Sequence, residues 1–215
     1  MGSTPMFPLG SVLVPGMPLP LHVFEDRYRA LAMHCLEHEA PFGVALIERG
    51  QEVGGGDTRF GIGCLARIVD AHRFEDGRFA LVAVGTERIK ITEWLDDDPY
   101  PLAVTEAWPD EPGEPDADDV EAVRNTLRRS LALAAEIGLA AAPATSDLSD
   151  DPEVLGWQVT SGSPLPSIDR LRLLAAPSLG DRFRLGRRYL AEAIEGLELQ
   201  LAAGRGDDDE WSLPE

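Results

Sequence analysis

The chain has 215 residues, 44% of them hydrophobic and 27% charged, and a net charge of −19. That length supports one large domain or two small ones with a real core. The acidity argues against general nucleic-acid binding, which needs Lys and Arg against phosphate, and against docking on anionic lipid.

Lys90 is the only lysine. Cys35 and Cys64 fit neither a metal-ligand spacing nor a disulfide framework, so a reduced, cytoplasmic protein is the simplest expectation. No apolar run reaches membrane-spanning length, and the N-terminus lacks a basic segment followed by an apolar one. No membrane partner and no signal peptide are therefore expected.

In chain order, the first stretch is residues 6–28, M-F-P-L-G-S-V-L-V-P-G-M-P-L-P-L-H-V-F-E-D-R-Y. Two apolar runs, 7–9 and 12–14, are followed by prolines at 15, 18 and 20. Proline donates no backbone N–H and is confined to sheet edges or strand starts. A third run, 21–24, ends in Glu-Asp. The pattern predicts an extended strand, a kinked crossing, a second strand and then a helix. Residues 25–40 carry that helix, with Tyr28, Leu31, Ala32, Cys35 and Leu36 on one apolar stripe and Pro41 as its stop.

Residues 42–48 read as a short buried strand and 49–60 as a loop containing Gly54-Gly55-Gly56. A strand over 61–71 follows, then a hairpin turn at Asp76-Gly77. The returning strand covers 78–84, Gly85-Thr86 is expected to break it, and further strands cover 88–94 and 102–108. Short strands with turns between them predict a barrel or sandwich with one inserted helix. Residues 109–119, P-D-E-P-G-E-P-D-A-D-D, read as an acidic, proline-rich linker and domain boundary.

The second half predicts helices. Val120, Val123, Leu127, Leu131, Ala134 and Ile137 keep helical spacing over 119–139. Asp151-Pro152 starts a second helix carrying Val154, Leu155 and Trp157, the tryptophan read as core. A third begins at Ser167, and a fourth at Ser178, with Asp181 completing a capping-box variant. The fourth helix buries Leu179, Phe183, Gly186, Leu190, Ala193, Ile194, Leu197 and Leu201. Residues 204–215 read as a disordered acidic tail. The expected organisation is an α+β fold. It has a barrel subdomain over 6–108, the linker over 109–119, a helical subdomain over 120–203 and the tail.

The order F-P-L-G, V-L-V-P-G, L-P-L-H-V-F-E and R-Y resembles the start of the Lon protease N-terminal domain. Phe42-Gly43-Val44, the strand from Gly63 to Ile68, Asp76-Gly77-Arg78-Phe79, Val84-Gly85-Thr86-Glu87-Arg88 and Pro101-Leu102 are similar to later family motifs. Cys64 stands where threonine is common. The helical half is more weakly similar, through the run from Leu165 to Pro177. The resemblance implies a PUA-like β-barrel followed by a helical bundle, acting as a non-catalytic protein- or peptide-binding module. It also implies clients that are unfolded proteins or peptides, met in a groove between barrel and bundle, with a separate protease or chaperone as partner. The chain has no G-x-x-x-x-G-K-[ST] phosphate loop, since Ile91 follows Lys90, and a Ser-Lys dyad would have to use Lys90, which lies in a strand of the binding domain, so neither the ATPase nor the peptidase of the full protease is expected in it.

Candidate contact residues cluster at the opening stretch. Met17, Pro18, Leu19 and Phe24 offer apolar contacts to an extended peptide, and Arg67 and Arg88 polar ones. Glu25, Arg27 and Tyr28 read as a structural corner, an acid holding an arginine beside a buried aromatic. Phe7, Leu13, Val23 and Phe24 also suit a plain barrel core.

The sequence offers three other chemistries. His34, Glu37 and His38 match H-x-x-E-H, the pattern of a small zinc hydrolase, yet the apolar stripe turns both histidines toward solvent. PUA-like barrels also suit RNA binding, against which the charge counts. Gly61-Ile62-Gly63-Cys64-Leu65-Ala66 has a loop before it and a strand after it, the reverse of a dinucleotide site. No cofactor and no nucleic-acid partner are expected. The sequence leaves the oligomeric state open.

Overall fold

A computed structural model provides the structure and describes residues 3–49 and 58–209. The chain divides into two compact units, Met1–Pro109 and Asp110–Glu215. No helix among the described residues is long and apolar enough to cross a membrane.

The first unit holds six strands and one helix. They are β1 (Thr4–Leu9), β2 (Pro18–Val23), α1 (Asp26–His38), β3 (Phe42–Arg49), β4 (Thr58–Arg73), β5 (Phe79–Leu95) and β6 (Leu102–Ala107). The sheet runs β2-β5-β4-β3-β1-β6, and a further β5–β6 pairing closes five of its strands into a ring. β2 stands outside that ring, paired along the first half of β5 from Pro18↔Val84 to Val23↔Phe79. β1 and β3 are parallel, with β2 and α1 in the connection between them.

Alternation along the strands builds the core. Phe7, Leu9, Leu19, Val23, Val44, Phe79 and Leu81 meet the buried face of α1, which supplies Tyr28, Leu31, Ala32 and Cys35. The intervening positions Met6, Ala45, Ile89 and Ala103 form a second cluster. Gly43 makes room for it, since a Cβ there would lie 2.4 Å from the Met6 sulfur. α1 ends where Glu39 turns left-handed at φ 50° and the Ala40 amide donates to the Cys35 carbonyl, followed by Pro41.

Gly85-Thr86 does not end a strand. β5 runs unbroken through it, and the register against β4 shifts between Cys64 and Ala66, a bulge that bends the strand. Gly85 is required by a close approach, because a Cβ on it would sit 2.2 Å from the Val14 carbonyl oxygen. The hairpin turn forms at Gly77, with φ 86°. Phe24 is not core. It follows the inward-facing Val23 and leaves 54% of its surface exposed.

The second unit is helical, with α2 (Ala117–Glu136), α3 (Pro152–Gly162), α4 (Ser167–Leu174) and α5 (Leu179–Asp209). Val123, Leu127, Leu131, Leu155, Val159, Leu173, Phe183 and Leu190 fill its core. The Asp151 carboxylate caps α3 by accepting from the Glu153 amide at 2.8 Å. The Ser178 hydroxyl caps α5 by accepting from the Asp181 amide at 3.1 Å, and it donates to the Asp181 carboxylate at 2.6 Å, so the two side chains of the expected box are joined directly.

Residues 110–116 are held down rather than free as a linker. The Glu111 amide donates to the Pro177 carbonyl and the Gly180 amide to the Gly113 carbonyl, so this segment satisfies groups at the start of α5. α2 begins three residues earlier than the apolar pattern, since acidic residues suit a helix N-terminus without adding apolar spacing. α5 continues to Asp209, into the segment read as a tail, because two glycines without a proline do not end a helix. Residues 210–215 and the Gly54-Gly55-Gly56 run lie outside the described residues.

Candidate functional site

A cleft of about 310 Å³ borders β2 in the first unit. The strand itself lines one side, from Leu19 to Val23. Phe7, Leu9 and Ser11 line another, and Phe24, Glu25 and Tyr28 close the end. The sequence P-L-P-L-H-V produces this arrangement by strict alternation. Leu19 and Val23 are buried, whereas Pro18, Pro20 and His22 are exposed.

Stacked aromatics form part of the cleft wall. The Phe7 and Tyr28 rings lie 4.1 Å apart at 11°, and the Arg27 guanidinium sits 4.4 Å from the Tyr28 ring centre. Arg27 also donates from Nε to the Glu25 carboxylate at 3.1 Å and reaches Asp97 at 4.0 Å. Arg59 approaches the same Asp97 carboxylate at 3.6 Å. Glu25, Arg27 and Tyr28 thus form one connected corner at the start of α1.

Of the six expected contact residues, Leu19 and Phe24 line the cleft directly. Met17 packs against the adjoining core. Pro18 is exposed and pairs with Val84, which pairs in turn with the exposed Arg67, so Pro18 and Arg67 lie two strands apart. Arg88 is not available to a ligand there. It is 4% exposed, and its guanidinium lies 4.7 Å from the Trp108 ring centre. Arg88 directs its guanidinium inward because it lies on β5 beyond the bulge, where it pairs with the buried Cys64.

Phe7, Leu9, Ser11 and His22 were missed as lining residues. The signal available for them was the parity of the short strands, read together rather than strand by strand.

The histidine pair on α1 has a different surrounding. The His34 and His38 rings stack at 4.6 Å, and His38 Nδ1 lies 3.0 Å from the His34 carbonyl oxygen. No group of three His, Cys, Asp or Glu residues able to hold a metal ion occurs among the described residues. Cys35 and Cys64 are free and buried, and burial pushes their thiols up to about 11 and about 12. Those values keep both thiols protonated and poorly nucleophilic at neutral pH.

The family model of the ATP-dependent protease La (LON) substrate-binding domain matches residues 3–192. A Lon protease of Anaeromyxobacter dehalogenans is 28% identical over 201 residues, covering 91% of this chain and 24% of that protein. Lon protease 2 of Herpetosiphon aurantiacus is 26% identical over 205 residues, covering 91% of this chain and again 24% of that protein. The chain therefore spans about a quarter of the length of the relatives it matches. Among solved structures, the Lon N-terminal domain protein from Xanthomonas campestris is 28% identical, with a TM-score of 0.65, covering 86% of this chain and 96% of that one. The N-terminal domain of the Mycobacterium avium complex Lon protease shares the fold, at 18% identity and a TM-score of 0.59 over 88% of this chain and 98% of that one.

Proposed function

This chain belongs to the family of ATP-dependent protease La (Lon) substrate-binding domains, and from that premise we propose that it is a non-catalytic module that captures exposed apolar segments of unfolded proteins. The observation that carries this reading is the cleft along β2, with Leu19 and Val23 inside it and Phe24 standing 54% exposed at its end. Phe24 stands beside a preformed recess whose lining mixes apolar side chains with the polar Ser11, His22 and Glu25, the composition of a site that takes an apolar group and orients it with a few polar contacts. A client side chain entering the recess would cover both.

The size of the cleft sets the strength. It accommodates one or two large apolar side chains, each contributing about 1.5–3 kcal/mol on burial, from which the cost of association is subtracted. Affinity for a single segment is weak, and a client with several such segments is held by repeated engagement. Capture is carried by apolar burial, so it depends little on salt. The chain's charge of −19 favours basic or neutral clients over nucleic acid. In this proposal the module acts in a reducing compartment such as the cytoplasm, in keeping with its two free thiols, and passes clients to a protease or chaperone.

The test is an anisotropy titration of a fluorescein-labelled, permanently unfolded client (reduced and carboxymethylated) against the native form of the same client, at two salt concentrations. Binding of the unfolded form alone, retained at high salt and weakened by Phe24→Ala, supports the reading. Equal binding of both forms, or binding unaffected by Phe24→Ala, refutes it.

A further inference from the structure

β2 presents only half of a strand edge. In an antiparallel ladder, both backbone groups of a residue point to the same side, and successive residues alternate. The Gly85 amide donates to the Met17 carbonyl at 3.0 Å, which places Met17 on the side facing β5. Leu19, Leu21 and Val23 share its parity within the β2–β5 register. Pro18, Pro20 and His22 therefore aim their backbone groups away from β5, where no other strand pairs with β2 among the described residues. Two of those three residues are prolines and have no N–H. The open side offers carbonyl acceptors at Pro18, Pro20 and His22, spaced about 7 Å apart, and a single donor at His22.

We infer that this edge reads the backbone of its client one-sidedly. It accepts the N–H groups of an extended, proline-free segment while that segment's large apolar side chain enters the cleft. The inference rests on the reading of the module as a capture device and specifies its substrate class. Full strand addition is excluded, because a client carbonyl facing Pro18 or Pro20 finds no donor. The same chemistry disfavours self-association through this edge. A second copy of β2 would bring acceptors against acceptors, which is how proline blunts an edge strand. The side chains select for apolar size, and the backbone selects for segments able to donate at alternate residues.

The experiment uses the full chain and a fluorescein-labelled octapeptide of alternating serine and leucine with one central phenylalanine. N-methylation removes one peptide donor at a time. The expected result is that methylation at one alternate set of positions weakens binding by roughly three- to tenfold per site, with the other set tolerated. Proline at a donor position is expected to weaken binding by a similar factor. Pro20→Ala returns a donor to the edge and is expected to tighten the parent peptide by a comparable factor. Should the parent bind and N-methylation make no difference at any position, the one-sided edge is overturned while apolar capture stands. Should the parent peptide fail to bind, both this inference and the reading beneath it fall. Pro18→Ala serves as the second variant, to be read the same way, if Pro20→Ala does not fold.

Discussion

Arg182 of α5 is 1% exposed and donates two hydrogen bonds of 2.8 Å to the carboxylate of Asp110. Its guanidinium also lies 3.7 Å from the Trp157 ring centre, and its Nε donates to the Leu173 carbonyl at 3.3 Å. The first residue of the second unit is thus fastened into that unit's own core by a planar, bidentate ion pair stacked on an aromatic. This accounts for the burial of Trp157 and for the ordering of a segment whose composition reads as a linker.

Removing the acid while leaving the base strands a charge in the core. Asp110→Ala is expected to destabilise the protein by about 3 kcal/mol, the low end for breaking a buried pair, because Asp110 keeps some solvent contact. Chemical denaturation measures this as a lower midpoint with an unchanged slope. Asp110→Ala combined with Arg182→Met is expected to recover most of the loss. A double variant no more stable than Asp110→Ala alone would show that the ion pair is not the cause.

The bulge at Gly85 has no space for a side chain. Gly85→Ala drives a methyl group into the Val14 carbonyl, backbone against backbone, and is expected to cost about 3 kcal/mol. Gly61→Ala is the control, since its nearest neighbour would be the Ile91 carbonyl at an ordinary 3.8 Å. Thermal unfolding of the two variants is expected to differ by several degrees, with Gly61→Ala near the parent.

Leu19 and Phe24 line the same cleft but differ in burial, so their variants separate binding from stability. Phe24→Ala is expected to change stability by no more than about 0.5 kcal/mol, as for an exposed position. Leu19→Ala removes a buried side chain and is expected to cost about 2 kcal/mol. Both are expected to weaken capture of an unfolded client. Loss of capture with Leu19→Ala but not with Phe24→Ala would assign the effect to core damage.

Both thiols titrate above the ordinary 9.0, mainly because burial disfavours the thiolate. A raised folded-state value means that the associated stability is fully present below pH 9. It is lost as pH rises through about 11 for Cys35 and about 12 for Cys64. Folded protein at pH 8 is accordingly expected to react with an aromatic disulfide reagent at neither cysteine, and denatured protein at both. Rapid labelling of the folded state would contradict the burial of these two positions.

At the acid end, the hydroxyl of Ser178, and then Arg184, hold the Asp181 carboxyl below the usual aspartate range. A depressed value contributes stability above the ordinary 3.8 that is lost as pH falls through the lowered one. Ser178→Ala is expected to cost about 1 kcal/mol at neutral pH through the lost cap. It is also expected to move the acid unfolding midpoint, followed by circular dichroism, to higher pH. An unmoved midpoint would remove Asp181 from the acid transition.

Strand and helix identities along the first unit were legible because period-2 and period-3.6 apolar spacing are properties of the chain alone. The capping pair Ser178–Asp181 and the turn at Gly77 were legible for the same reason, being local chemistry. The family resemblance was carried by the order of short motifs, which is also one-dimensional. Tertiary structure decided what depends on partners distant in sequence. Gly85 reads as a strand breaker until Val14 arrives beside it, and the acidic segment from Asp110 reads as a linker until Arg182 reaches it across 72 residues. Arg88 reads as a surface cation until Trp108 takes its guanidinium face. Hydropathy ranks Phe24 as core, but β2 has one buried face, Val23 occupies it, and the next residue must point outward. The prolines of β2 were visible from the start. Only their pairing against β5 showed which side of the strand they strip of donors.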